Sequence, residues 1–306
     1  MTSLDAATRV DPEHPSPLGT LMPGDPGYDS GRGGRRLGGR ILAYFVLGLV
    51  AFIALVPFIW MLSGSLKTLD TIFNNPLQVI PDPPQWSNYS RVWNELPLSR
   101  WIFNSGYIVV LAVIGRVLFT ATAAYAFARL QFPGRDYIFY AFLAGLMIPP
   151  EVTLIPAFTL IRQLGWYDNH LALIVPSLSD AFAIFLLRQF FLSIPRELEE
   201  AARIDGASYL RVFFSIILPL SSSALAVVAA LAFMDVWNSF QWPLIMIDSI
   251  DKFTLPVGLQ FLQNSRSTDW PALMAGNMIG LVPVIVVYLA CQKYFVEGIT
   301  MSGLKG

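Results

Sequence analysis

The sequence predicts an all-α membrane protein that crosses the bilayer six times, and three observations carry that prediction. Fifty-five per cent of its 306 residues are hydrophobic and only 13 per cent are charged, about half the charge of an ordinary soluble domain. Mean hydropathy is +0.55. Several apolar runs approach or exceed the roughly 20 residues that a helix needs to span a bilayer. They fall near 41–63, 103–128, 137–161, 171–188, 219–247 and 272–292. None shows the period-two alternation of a membrane β-barrel, so helices are the means of satisfying backbone polar groups in lipid.

The first run is preceded by residues 1–40, rich in Gly, Pro, Ser and Arg and nearly devoid of aromatics, which predicts a disordered tail. Tail and first run together resemble a secretory signal only weakly, because the run is too long and no clear cleavage site follows. Arg32, Arg35, Arg36 and Arg40 stand just ahead of it and place the N-terminus in the cytoplasm. Six crossings return the C-terminus to that side. Thirteen Lys and Arg then fall on cytoplasmic segments and six on outer loops, and the bias is strongest at the 188–211 segment, with Arg188, Arg196, Arg203 and Arg211. The third run contains Pro149, Pro150 and Pro156. They either break the span beside a pathway or mark where it nears the outer surface.

Ionisable groups inside a span are costly and face a bundle interior or a water-filled cavity. Arg116, Glu151, Asp180 and Asp235 are the candidates. Asp235, Asn238 and Gln241 recur every third residue, an arc of about a third of a helix. With Trp237 and Trp242 nearby it suits a hydroxyl-rich solute. The competing reading pairs Arg116 with Asp180 or Asp235 for packing alone.

The segment at about 193–219 is the most informative. Ser193-Ile194-Pro195 is a helix entry. Glu197, Glu199 and Glu200 favour the positive end of that helix, and Gly206 suits its termination. Ser208 restarts a helix that runs to Pro219. The product is two short helices in an elbow, the first too polar for lipid.

From Glu200 to Pro219 the sequence reads E-A-A, three residues, Gly, nine residues, Ile, one residue, Leu-Pro. Together with L-L-R-Q-F-F (186–191), W-N-S-F-Q-W-P-L (237–244) and the tail at 294–306, this resembles the transmembrane subunits of bacterial ABC importers, in particular the smaller, maltose-permease-like subunit of the carbohydrate-uptake branch. The likeness covers roughly 40–306. It implies a type I ABC importer permease fold in the inner membrane, with 41–306 as the permease domain and a coupling helix at about 194–206 that docks on a cytoplasmic ATPase. Glu199, Glu200, Ala201, Ala202, Asp205, Gly206 and Ala207 would serve docking and coupling. The partners implied are a second permease subunit, two ATPase subunits and an extracytoplasmic solute-binding protein. That protein would deliver a sugar or related polyol near loops 64–101 and 248–271. A glycerol-phosphate-type solute is the alternative cargo. Gly303-Leu304-Lys305-Gly306 is a further candidate for reaching the ATPases.

Rival classes fit less of the sequence. A self-sufficient secondary transporter or channel leaves the 200–219 spacing unexplained. An enzyme lacks a constellation, since His14 and His170 lie in the tail and an outer loop. No G-x-x-x-x-G-K-[ST] loop is present, so ATP hydrolysis is expected in the partners. No metal or cofactor is expected. Cys291 is the only cysteine and forms no intrachain disulfide. The net charge of −1 gives no footprint for nucleic acid.

Overall fold

A computed structural model describes residues 32–303 apart from Leu77 and 264–267, and only the backbone at 32–38, Phe261 and 294–303. The chain forms two compact units, residues up to Phe58 and residues from Ile59 onward. In the first, helix α1 (Arg32–Ser65) begins. Its side chains from 39 to 58 are all exposed. A stretch that is apolar all round suits lipid or the cover of another protein. Helix begins at Arg32, eight residues before the expected end of the tail. Extending an existing helix backward needs no new nucleus, and no proline intervenes between 32 and 40. The rest of the expected tail, 1–31, lies outside the described residues, as do Leu304, Lys305 and Gly306.

The second unit continues with α2 (Leu69–Asn74), α3 (Ser87–Glu95), α4 (Leu98–Arg129), α5 (Arg135–Gly145), α6 (Pro150–Gln163) and α7 (Leu171–Ile174). A 3₁₀ turn at Pro176–Leu178 leads to α8 (Ala181–Ser193), α9 (Glu197–Ile204) and α10 (Tyr209–Val212). Next come α11 (Leu218–Leu220), α12 (Ser222–Trp237), α13 (Gln241–Met246), α14 (Leu255–Leu259) and α15 (Trp270–Gly303). No strand occurs among the described residues. Four helical stretches are long and apolar enough to cross a membrane: Gly39–Ser65, Leu98–Arg129, Leu171–Ser193 and Trp270–Lys293. Six cross if each of two bent pairs is one span, α5 with α6 at 103° and Tyr209–Leu220 with α12 at 80°.

Proline explains the departures from straight spans. Pro149 takes the N-cap position of α6 and Pro150 its first turn, where a missing N–H costs nothing. The third run is therefore bent at 146–149, whereas Pro156 lies inside α6 without ending it. The fifth run is shorter than 219–247. Helix α12 stops at Trp237, and Pro243 sits in the next, separate helix. A single helix running through Pro243 would drive its ring against the carbonyl of Ser239. A five-residue π stretch, Phe213–Ile217, precedes Pro219, which has no N–H to give Ser215. The turn widens instead, and the Leu218 N–H reaches Phe213.

Helix α4 is the axis of this unit. Its N-terminal half packs Trp101, Ile108 and Val109 into one buried cluster with α3, α7, α14 and α15. Its C-terminal half packs Ala121, Ala124, Tyr125, Phe127 and Ala128 into a second cluster with α8, the π stretch and α12. The alanines at 121, 124 and 128 let neighbouring backbones approach closely, as membrane helices require. Arg116 lies between the two clusters.

Polar ties hold the loops at one end of α4. The Trp101 indole N–H donates to the Ile250 carbonyl at 2.8 Å, and the Asn104 amide donates to Asp251 and Phe253 at 2.9 Å each. Asp168, at φ 53°, accepts from the Asp248 and Ser249 amides at 3.0 and 2.9 Å and pairs with Lys252 at 2.7 Å. His170 is bonded between the Tyr107 hydroxyl and the Lys252 carbonyl, a structural engagement. Burial alone would raise the Asp168 carboxyl, but bonds from Lys252, Ser249 and the two amides outweigh it and hold the group well below the usual carboxylate range. Because the folded value is the lower one, this clamp is at full strength above the unfolded value of about pH 4. It is lost as pH falls through the folded value. Protection of the Asp248 and Ser249 amides, measured relative to their intrinsic exchange rates, should fall progressively on acidification below about pH 4, and in Asp168→Asn it should be low already at neutral pH.

Candidate functional site

The elbow predicted at 193–219 is present. Pro195 leads into α9, whose first turn carries Glu197, Glu199 and Glu200. The helix stops where Gly206 adopts φ +83°, a left-handed conformation that costs a Cβ-bearing residue about 1–2 kcal/mol. Ala207 N–H closes the end by donating to Ala202 at 2.9 Å. Ser208 caps α10 by accepting from the Arg211 amide. Arg203 lies over the Tyr209 ring at 4.0 Å, joining the two limbs of the elbow.

The seven residues expected to serve docking divide by face. Glu200, Ala201, Asp205 and Gly206 are exposed. Ala202 and Ala207 pack against the second buried cluster, where their small side chains permit the close contact. Glu199 also turns inward and is a tether rather than part of the open face. Its carboxylate pairs with the Arg129 guanidinium at 2.7 Å, with 4 and 13 per cent of the two side chains exposed. The same guanidinium donates to the carbonyls of Phe191 and Ile194 at 2.6 Å each. Arg129 thus knots together the ends of α4 and α8 and the first turn of α9.

Two residues of this site escape a reading of the sequence. Arg129 looks like one more charge flanking an apolar run, and its partners are 62, 65 and 70 positions away. Ile204 was hidden in a helix noted for its charge, yet it is 87 per cent exposed. Leu198, Tyr209 and Leu210 of the same segment are also exposed.

At position 206 the backbone is the constraint, because nothing lies within 4 Å of an added Cβ. Gly206→Ala should therefore loosen the elbow by about 1–2 kcal/mol, Gly206→Asn by less, and Gly206→Val by more. Hydrogen exchange at 205–208 is the measurement. Loss of function in Gly206→Asp with an intact elbow would report on the open surface and not on strain.

Within the helices, the structure gathers the expected ionisable groups in two connected places. Arg116 pairs with Asp235 at 2.8 Å and Asp180 at 3.5 Å, and donates to the Ser177 carbonyl at 2.5 Å. Its side chain is 7 per cent exposed. It therefore joins α4 to α8 and α12, and the packing reading of this group has a geometric basis. Asp180 also caps α8 by accepting from Phe182 and Ala183. The predicted arc of Asp235, Asn238 and Gln241 is not one helical face, because α12 ends at Trp237. Asn238 turns back to donate to the Met234 carbonyl at 2.8 Å, while Gln241 starts α13. Glu151 stands in the first turn of α6, after the bend. Glu151, Asp235 and Gln241 nevertheless line a single cleft of about 420 Å³ with Thr153, Ser239 and Trp242. Among the described residues no three His, Cys, Asp or Glu side chains are grouped to hold a metal.

Four to six apolar helices, two pairs of them sharply bent, define a multi-pass membrane protein. Comparison with known proteins makes the class specific. Residues 116–300 match the family described as binding-protein-dependent transport system inner membrane component, and the chain belongs to that family. It is 35% identical over 260 residues to the arabinooligosaccharides transport system permease protein AraQ of Halalkalibacterium halodurans, covering 84% of this chain and 93% of that one. It is 37% identical over 254 residues to the probable ABC transporter permease protein YurM of Bacillus subtilis, covering 82% and 83%. The sn-glycerol-3-phosphate transport system permease protein UgpE of Yersinia enterocolitica is 34% identical over 239 residues, covering 76% and 85%. Among solved structures, a chain of a bacterial ABC transporter involved in the import of the acidic polysaccharide alginate aligns with TM-score 0.75 and 27% identity, covering 87% of this chain and 99% of that one. The fold is that of a type I ABC importer permease.

Proposed function

We propose that this chain is one of two permease subunits of an ATP-driven importer and forms half of the pathway for a carbohydrate. The observation that supports it most is the two-sidedness of α9. One side is fastened to α4 and α8 through Glu199, Ala202 and Arg129. The other presents Glu200, Ala201, Ile204 and Asp205 outward. A helix held firmly from behind and bare in front suits docking to a cytoplasmic ATPase, whose closure would pull on α4 and α8. In this reading ATP is hydrolysed by two ATPase subunits, and a second permease completes the pathway. A solute-binding protein delivers the sugar at loops 64–101 and 248–271. Both termini are cytoplasmic, which agrees with Arg129, Arg135, Arg188, Arg196, Arg203 and Arg211 gathering around the elbow end of the helices.

Mass spectrometry of the proteins that co-purify with the tagged chain in mild detergent tests this. An ABC ATPase and a second permease are expected. Recovery of the chain alone, with transport intact, would sink the proposal. Glu200→Lys and Ile204→Asp should each reduce ATPase retention, and unchanged retention would remove that residue from the docking face.

A further inference from the structure

The cleft between α6 and the α12–α13 junction has a composition that speaks to the charge of the solute, and we infer that it admits a polyhydroxylated solute carrying no negative charge and rejects phosphorylated or acidic ones. The inference rests on the permease reading above. At about 420 Å³, the cleft lies within the roughly 300–1,000 Å³ usual for small-molecule sites. Its polar lining consists of the Glu151 and Asp235 carboxylates, the Gln241 amide and the Thr153 and Ser239 hydroxyls, set beside the Trp242 and Phe240 rings. The Trp242 indole is held in place by its N–H, which donates to the Ala172 carbonyl at 2.9 Å. Thr153 donates to the Pro150 carbonyl at 2.9 Å, leaving its oxygen able to accept.

Carboxylates accept short, strong hydrogen bonds from hydroxyl groups, and an amide both gives and takes. Fixed aromatic rings offer a flat apolar wall. A neutral sugar satisfies all three. An anion meets two carboxylates and no cation, because no Lys or Arg lines the cleft. Arg116, the cation nearest in the structure's bonding, is buried and already engaged by Asp180, Asp235 and the Ser177 carbonyl. Near a protein surface two like charges about 4 Å apart repel by roughly 4 kcal/mol, against about 1 kcal/mol in bulk water. The relatives whose names refer to glycerol 3-phosphate or to acidic alginate carry anions by name. This chain's cleft is charged against them.

The test uses the assembled transporter in native membranes. Cys291→Ser makes this chain cysteine-free, and Thr153→Cys or Ser239→Cys then places one thiol in the cleft, each a near-isosteric change. Reaction rates with a cationic and an anionic methanethiosulfonate reagent are compared, read on this chain by mass and normalised to a small free thiol. The cationic reagent is expected to win by about ten-fold or more, and Glu151→Gln in the same background should reduce that ratio several-fold. A normalised ratio near one, a ratio indifferent to Glu151→Gln, or no labelling at either position would overturn the inference. So would protection of the thiol by sn-glycerol 3-phosphate. Co-purification of the ATPase and the second permease is scored on the same membranes. If those partners are retained while the ratio falls to one, the importer reading stands and only the charge assignment fails.

Discussion

Arg129→Ala is expected to cut solute uptake by about ten-fold or more while the chain still inserts in the membrane. The guanidinium binds one carboxylate and two backbone carbonyls at once, and with 4 per cent of its side chain exposed water does not replace it. Removing it leaves Glu199 as a buried charge without its counter-ion, a loss of about 3–5 kcal/mol, concentrated where three helix ends meet. The freed α9 would then move without α4 and α8, so ATP hydrolysis by a docked partner should continue while transport falls. Arg129→Lys should be nearly as harmful, because one ammonium cannot reproduce the planar fork. Glu199→Gln should be milder, since the guanidinium it leaves in place still donates to the Phe191 and Ile194 carbonyls. Measuring ATPase activity and uptake side by side in proteoliposomes decides the matter. If both decline in proportion, Arg129 serves stability alone.

Gly258→Ala should be the most damaging small substitution at the opposite end of α4. A Cβ on residue 258 would lie 2.2 Å from two ring atoms of Trp101. That indole is 1 per cent exposed and fixed by its bond to the Ile250 carbonyl, so it has nowhere to go. Overpacking of a filled core costs about 1–3 kcal/mol, and a rigid aromatic neighbour places this case at the upper end. The expected outcome is reduced thermal stability with release of the 250–259 segment, visible as faster hydrogen exchange of the Gly258 amide, which donates to Thr254 at 2.8 Å. The double variant Gly258→Ala with Trp101→Leu should regain part of the loss by removing the obstructing ring. A wild-type melting curve for Gly258→Ala alone would show that α14 can shift away from α4.

The elbow was legible in the sequence because its determinants are local. A cap, a run of acids, paired alanines and a turn glycine act within a few residues of one another, and their spacing survives as a pattern in the chain. The apolar runs were legible for the same reason, since bilayer thickness sets their length. Span ends were less so. Pro243 stops the fifth run from continuing, but whether a proline kinks a helix or ends it depends on which carbonyl lies behind it. The polar ties were least visible. Arg129 and Glu199 are separated by 70 positions, and Asp168 and Lys252 by 84. Nothing in either neighbourhood indicates the other. Arg116 was recognisable as a buried cation, but that it holds Asp180 and Asp235 together follows only from how α8 and α12 pack on α4. That Glu199 turns inward to Arg129 could not be read from the chain, because a first-turn carboxylate suits the helix dipole whichever way it points.

Arg116 and Arg129 stand on the same uninterrupted helix. Thirteen residues at 1.5 Å each set them about 20 Å apart, and no proline or bend divides them. The end at Arg129 grips the elbow, and Arg116, midway along the helix, touches Asp235, a wall of the polar cleft. An axial push at one position therefore arrives at the other without slack. In engineering terms α4 is a connecting rod and not a chain of joints. In the importer reading proposed above, the two positions would share one stroke, which would tie the timing of drive and gate together and give up the freedom to adjust either separately.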